Sequence, residues 1–119
     1  MFFDYRRGFF VFILIFLSPF AMAAELSGEK IYARLCSSCH GFTGEGRSGL
    51  APALRNGITV SGDISGLLNV VMNGRKDTLM VAFKKNMTDD ELAAVISYVR
   101  ERFGPADRKL SAADIAMAR

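Results

Sequence analysis

The 119-residue sequence predicts an all-α domain, and three observations lead there. Apolar residues recur at helical spacing in three segments, each opened by a residue type that caps helices. No run alternates apolar and polar residues as a half-buried strand would. Between the helical segments lie two long stretches with little periodicity. These leave too little apolar bulk for the helices to close a core by themselves.

The first two dozen residues stand apart from that domain. Asp4, Arg6 and Arg7 form a short charged head, and Phe9 to Leu17 is an unbroken apolar run of nine. A membrane-spanning helix takes about 20 such residues. Pro19 breaks the run and Ala21-Met22-Ala23 supplies a small-x-small cleavage pattern. Residues 1–23 therefore read as a secretory signal peptide cut after Ala23, with retention as an anchor the alternative. What remains, residues 24–119, is one domain of 96 residues. Without the leader, Lys and Arg fall from 15 to 13 and Asp and Glu from 12 to 11, a mature charge of about +2. That is too small to argue for nucleic acid as a partner.

The first helix is expected from about Ser27 to Cys39. Ser27 caps it, Glu29 favours its first turn, and Ile31 and Leu35 share a face. Residues 41–62 follow as a glycine-rich loop containing Pro52. The second helix runs from about Asp63 to Asn73, with Ile64, Leu67, Leu68, Val71 and Met72 as its apolar stripe and Gly74 at its end. Residues 74–87 form the second loop. The third helix has the clearest signature. Thr88 and Glu91 make a capping box, Met87 and Leu92 a hydrophobic staple, and Leu92, Val95, Ile96, Val99 and Phe103 the buried face. Gly104-Pro105 ends it, and a short last helix begins at Ser111 and carries Ile115. The tail 104–119 is expected to pack on the domain or flank it.

All of the chain's cysteine and histidine lies in Cys36-Ser37-Ser38-Cys39-His40. This is the C-x-x-C-H pattern of covalent haem attachment. Two thiols one helical turn apart are placed to add to two neighbouring vinyl groups, and the next residue aims an imidazole at the iron. Competing uses fail on inventory. A structural zinc site takes four ligands, and this chain offers three of Cys or His type. A redox C-x-x-C belongs to a βαβ unit, which is absent from the pattern. A disulfide closing so short a loop stabilises little. A haem also supplies the large apolar body that the core lacks.

With that motif in place, the chain resembles the class I monohaem cytochromes c over Gly28 to about Phe103. "GEKIYARLCSSCHG" resembles the N-terminal helix and attachment site. "GEG" at 44–46 and "APAL" at 51–54 are similar to the proximal loop. "MVAF" at 80–83 is similar to the distal-ligand loop, and "MTDDELAAVISYVR" to the last helix. The resemblance implies a bundle of three to four helices with long loops wrapping one haem c. The first and last helices would cross at Gly28 or Tyr32 against Tyr98. It further implies that His40 is the proximal iron ligand, that the Pro52 carbonyl orients its ring, and that Met80 is the distal ligand. Val81 stands where this family often has proline, which removes some rigidity from that loop. Met72, Met87 and Met117 read as core, staple and tail.

The function expected is a non-enzymatic single-electron carrier in the periplasm, reaching membranes only through redox partners such as a dehydrogenase, an oxidase or another cytochrome. Arg75, Lys76, Lys84 and Lys85 flank Met80 as a basic rim for an acidic partner, or as plain solvated charges. Two alternatives stay open: a cytochrome subunit of a dehydrogenase or oxidase complex, and a haem-based gas-binding protein in which Met80 is labile.

Overall fold

A computed structural model describes residues 27–119, and the leader and its cleavage site lie outside the described residues. Six helical segments follow one another: α1 (Gly28–Leu35), α2 (Ser37–His40), α3 (Ile58–Ser61), α4 (Ile64–Asn73), α5 (Asp89–Phe103) and α6 (Ala112–Ala118). The only β pairing among the described residues is an isolated bridge between Arg47 and Ala51. No helix among them is long and apolar enough to cross a membrane.

Local chemistry sets the boundaries. Ser27 accepts from the Lys30 N–H at the start of α1, and Asp63 accepts from the Ser65 N–H at the start of α4. Thr88 and Glu91 exchange both bonds of a capping box at the head of α5. Ser111 and Asp114 repeat that device for α6. Each cap satisfies backbone donors that the first helical turn leaves unpaired, an effect of about 1 kcal/mol.

α1 and α5 cross, and their contact organises the core. At Gly28 a Cβ would stand 2.7 Å from the Tyr98 Cβ and closer still to the Ala94 carbonyl, so only glycine allows this approach. One turn on, the ring of Tyr32 lies 5.5 Å from that of Tyr98 and 5.3 Å from that of Phe103, centre to centre. Ile31, Leu92, Val95, Ile96 and Val99 fill the space beside these rings. The crossing expected at Gly28 and Tyr32 is where the chain makes it. α4 buries Leu67, Leu68 and Met72 against this core, with Ile64 and Val71 half-covered. Met87 and Leu92 are both buried, as a staple requires.

Two details differ from the sequence expectation. The first helix does not run on to Cys39; it stops at Leu35 and turns at Cys36 (φ −114°, ψ −36°) before the single turn α2. Leu35, the last residue of α1, is 37% exposed although it stands one turn after the buried Ile31. The first loop is not irregular throughout, since α3 folds within it and buries Val60. Its four residues are too few for a periodic signal. The segment 104–119 covers the core. Leu110 and Ile115 are buried, and the Leu110 N–H donates to Ser97 Oγ of α5 at 2.8 Å. Arg100, also buried, ties α3 to this segment. It donates to the carbonyls of Val60 and Gly62 and, through both Nε and Nη2, to the Asp107 carboxylate.

Candidate functional site

Cys36 sits at the bend between α1 and α2, with its N–H on the Tyr32 carbonyl at 2.9 Å. The next turn closes through His40 N–H to the Cys36 carbonyl at 2.9 Å, while Ser37 Oγ donates back to Ala33. Cys36 and Cys39 thus stand at the two ends of one helical turn, both partly exposed and neither in a disulfide. Burial pushes the Cys36 thiol up to about 11, with neighbouring Cys39 adding to the effect. Redox and metal-binding cysteines have their thiolates favoured instead.

Immediately after the turn, His40 is buried and its Nδ1 lies 2.9 Å from the Pro52 carbonyl oxygen. A carbonyl only accepts, so Nδ1 carries the proton, and in the neutral ring Nε2 keeps its lone pair for a ligand. The loop that delivers Pro52 is tightly made. The Gly46 N–H donates to the His40 carbonyl at 2.7 Å, and the N–H groups of Leu54 and Arg55 both donate to Gly44. Gly46 has φ +75°, and a Cβ there would stand 2.5 Å from the Ala53 nitrogen and 2.7 Å from the Pro52 carbonyl carbon. Glycine at this point lets the chain pass close beneath Pro52 and bring its carbonyl to the imidazole.

Two side chains support this loop without belonging to the motif. The Tyr32 hydroxyl donates to the Gly41 carbonyl at 2.6 Å, and burial pushes its pKa to about 12, with Cys36, Tyr98 and Glu45 contributing less. Glu45 accepts from the N–H and hydroxyl of Thr43. The hydroxyl bond first, then backbone donors, hold its carboxyl below the usual range. Sequence reasoning placed Tyr32 only in the helix crossing and Glu45 only within a matched stretch. The Tyr32 bond reaches 9 residues along the chain and carries no local signal, whereas the Glu45 bonds go to the nearby Thr43.

Met80 occupies the other long loop and is half-buried. This loop leaves and rejoins α4 at the same end. The N–H groups of Gly74, Phe83 and Lys84 donate to the carbonyls of Val70, Val71 and Met72, which a helix terminus otherwise leaves unpaired. Between those feet, the Arg75 N–H donates to the Met80 carbonyl at 3.1 Å and the Met80 N–H to Thr78 Oγ1 at 3.2 Å. Thr78, absent from the expected site, is the local fastening of Met80. Arg75 also leans its guanidinium on Thr59 Oγ1, so the basic rim expected around Met80 includes one partly engaged member.

The two loops meet at an open cleft of about 530 Å³, lined by residues 45–53 and by Thr78. Of the large apolar side chains left exposed, Leu35 ends α1 beside the motif, Phe42, Leu50, Leu79 and Val81 lie on these loops, and Ile58 and Met117 lie on α3 and α6. Apolar surface on both loops, together with two thiols and an imidazole whose Nε2 is free, fits a haem. Among the described residues no three of His, Cys, Asp and Glu assemble into another metal-binding group. The structure unites Cys36, Cys39, His40 and Pro52 in one turn-and-loop unit and puts Met80 on the other long loop.

Comparison with known proteins points the same way. A family model described as cytochrome c oxidase, cbb3-type, subunit III matches residues 23–99. The chain is 30% identical over 104 residues to the cytochrome c subunit of a quinone alcohol dehydrogenase from Gluconobacter oxydans (strain 621H). That match covers 78% of this chain but only 22% of the length of that relative. Cytochrome c6 of Leptolyngbya boryana is 28% identical over 82 residues, 67% of this chain and 94% of its own. Among solved structures, cytochrome cL of Methylophaga aminisulfidivorans MPT superposes with a TM-score of 0.56 at 27% identity, covering 82% of this chain and 67% of that one.

Proposed function

The chain belongs to the c-type cytochrome family that the cbb3-type subunit III model describes, and from that premise we propose that it is a periplasmic single-electron carrier. Its single haem c supplies a one-electron iron couple within an all-helical fold. Cys36 and Cys39 hold the group through thioethers. His40 would hold the iron through Nε2, its ring kept from turning by the Pro52 carbonyl, and Met80 would hold it through its sulfur. The observation that carries this reading is the 2.9 Å contact of His40 Nδ1 with the Pro52 carbonyl, directly after a C-x-x-C turn. With His40 and Met80 both holding the iron, no substrate would reach it, and the chain would work by passing electrons and not by transforming a bound molecule.

Residues 1–23 serve export in this reading, and the mature chain begins at Ala24. Lys76, Lys84 and Lys85 stand exposed or half-exposed around the Met80 loop and meet an acidic redox partner. A second reading is favoured by the similarity to a dehydrogenase cytochrome subunit: the chain then works as a bound subunit and not as a free shuttle. Two measurements test the proposal. Haem should survive acidified-acetone extraction and denaturing electrophoresis of the purified protein, and its complete loss defeats covalent attachment. Lys84→Glu with Lys85→Glu should slow transfer to an acidic partner most at low ionic strength. An unchanged rate and salt dependence place docking elsewhere.

A further inference from the structure

The segment after α5 reaches back to the Met80 loop through one side chain. Arg119, following α6, donates from Nη1 to the Lys84 carbonyl at 2.5 Å and from Nη2 to the Met87 carbonyl at 3.1 Å. Its Nε meets Asp89 Oδ1 at 2.5 Å, in the first turn of α5. One guanidinium fork therefore spans the turn of residues 83–87, where the Met80 loop comes down and hands over to α5.

That turn is the nearer foot of Met80, which lies three residues before Phe83. The foot rests on α4 through the Phe83 and Lys84 N–H groups. Its own closure is two bonds onto the Phe83 carbonyl, from Asn86 and Met87. Among the described residues, Arg119 is the one side chain from a distant element that donates to the backbone of this turn. α6 is held in place by other means: Ile115 is fully buried, Leu110 bonds Ser97, and Arg108 pairs with Asp114. Arg119 is thus a fixed clamp on a loop that has few ties of its own.

We propose that Arg119 is a positioning residue for Met80. By fixing the foot of the loop it holds the thioether on station, so that the tail sets how readily Met80 yields to an outside ligand. This rests on the ligation of iron by Met80 proposed above. A loop whose bound position is less favoured gives up its ligand in proportion to the population of the open state.

The test uses the ferric holoprotein, the weak near-infrared sulfur-to-iron absorption, and titration with imidazole. Arg119→Ala should raise imidazole affinity about tenfold and weaken the near-infrared band. Arg119→Lys, which keeps the charge near Asp89 but loses the fork, should fall between. Lys109→Ala removes an exposed cation from the same tail without breaking the Arg108–Asp114 pair or touching the loop, and should match the wild type. If Arg119→Ala lowers only the thermal midpoint and leaves band and imidazole affinity unchanged, the tail merely covers the core and the proposal is overturned. A wild-type protein with no near-infrared band removes the ligation by Met80 and this proposal together. A band that is present but indifferent to Arg119 removes this proposal alone.

Discussion

The loop of residues 41–57 is tied to three other parts of the molecule, whereas the loop of residues 74–83 is tied by its backbone to the helix it leaves and to itself. In the first loop, Gly41 receives the Tyr32 hydroxyl from α1, Pro52 receives the His40 ring from α2, and Asn56 donates to the Phe103 carbonyl at the end of α5. In the second, all the backbone anchors are carbonyls of residues 70–72 in α4, and the Met80 bonds stay within the loop. Leu79 and Val81, on either side of Met80, are 68% and 60% exposed. The imidazole side is built by the polypeptide itself. On the ligation proposed for Met80, its bond to iron completes the other side.

This difference has a consequence for redox work. A neutral imidazole held by a carbonyl is a constant ligand in both oxidation states. A thioether is soft and uncharged, so it favours ferrous over ferric iron and raises the potential. Loosening the second loop should therefore act on the potential and on ligand access while leaving the fold nearly as it was.

Removing what both loops surround gives the largest effect. Cys36→Ala with Cys39→Ala should yield a chain without covalent haem whose far-ultraviolet circular dichroism shows a largely unfolded state, because the apolar surface between the loops then has no cover. A folded, cooperatively melting double variant would mean that the helices close the core unaided. Next in size is the imidazole side alone. Gly46→Ala places a methyl group 2.5 Å from the Ala53 nitrogen at a positive φ, and should cost about 3 kcal/mol in denaturant unfolding. A cost near zero would show that Pro52 is not held by this close approach.

Much of this contrast was readable in the sequence, and the part that was not has a physical reason. Short-range signals stand in the text itself: the Thr88–Glu91 capping box, the stripe from Leu92 to Phe103, the spacing of Cys36, Cys39 and His40, and the stop at Gly74. The site residues Pro52 and Met80 came from resemblance to a family, since nothing in the periodicity marks a loop proline or methionine. Hidden from both were interactions that join distant positions. Tyr32 to Gly41, Arg100 to Val60 and Arg119 to Lys84 form only once the chain has folded. The bend at Cys36 is another such case, because helical spacing continues through it.

Smaller changes sharpen the comparison. Thr78→Val removes the hydroxyl that accepts from Met80 N–H and donates to the Arg75 carbonyl. It should cost about 1 kcal/mol of stability but weaken the near-infrared band visibly, a ratio opposite to that of Gly46→Ala. Equal spectral effects from the two variants would erase the distinction between the loops. The smallest effect lies away from both. The Arg100 guanidinium, by its hydrogen bonds first, holds Asp107 below its ordinary 3.8. A carboxyl depressed by folding stabilises above that ordinary value and loses its contribution as the pH falls through the lower one. Asp107→Asn should thus be less stable at neutral pH, with the difference closing in acid below 3.8 and no change in the haem spectrum. A difference that widens in acid would contradict the pairing.

The near-infrared spectrum of the ferric holoprotein, recorded for the wild type, Met80→Ala and Met87→Leu, tests the account most directly. The wild type and Met87→Leu should both show the sulfur-to-iron band. Met80→Ala should lose it, bind added imidazole or carbon monoxide, and have a lower potential, while keeping its helical circular dichroism. A band that survives Met80→Ala and vanishes in Met87→Leu would assign the ligand to the buried staple residue and contradict the account.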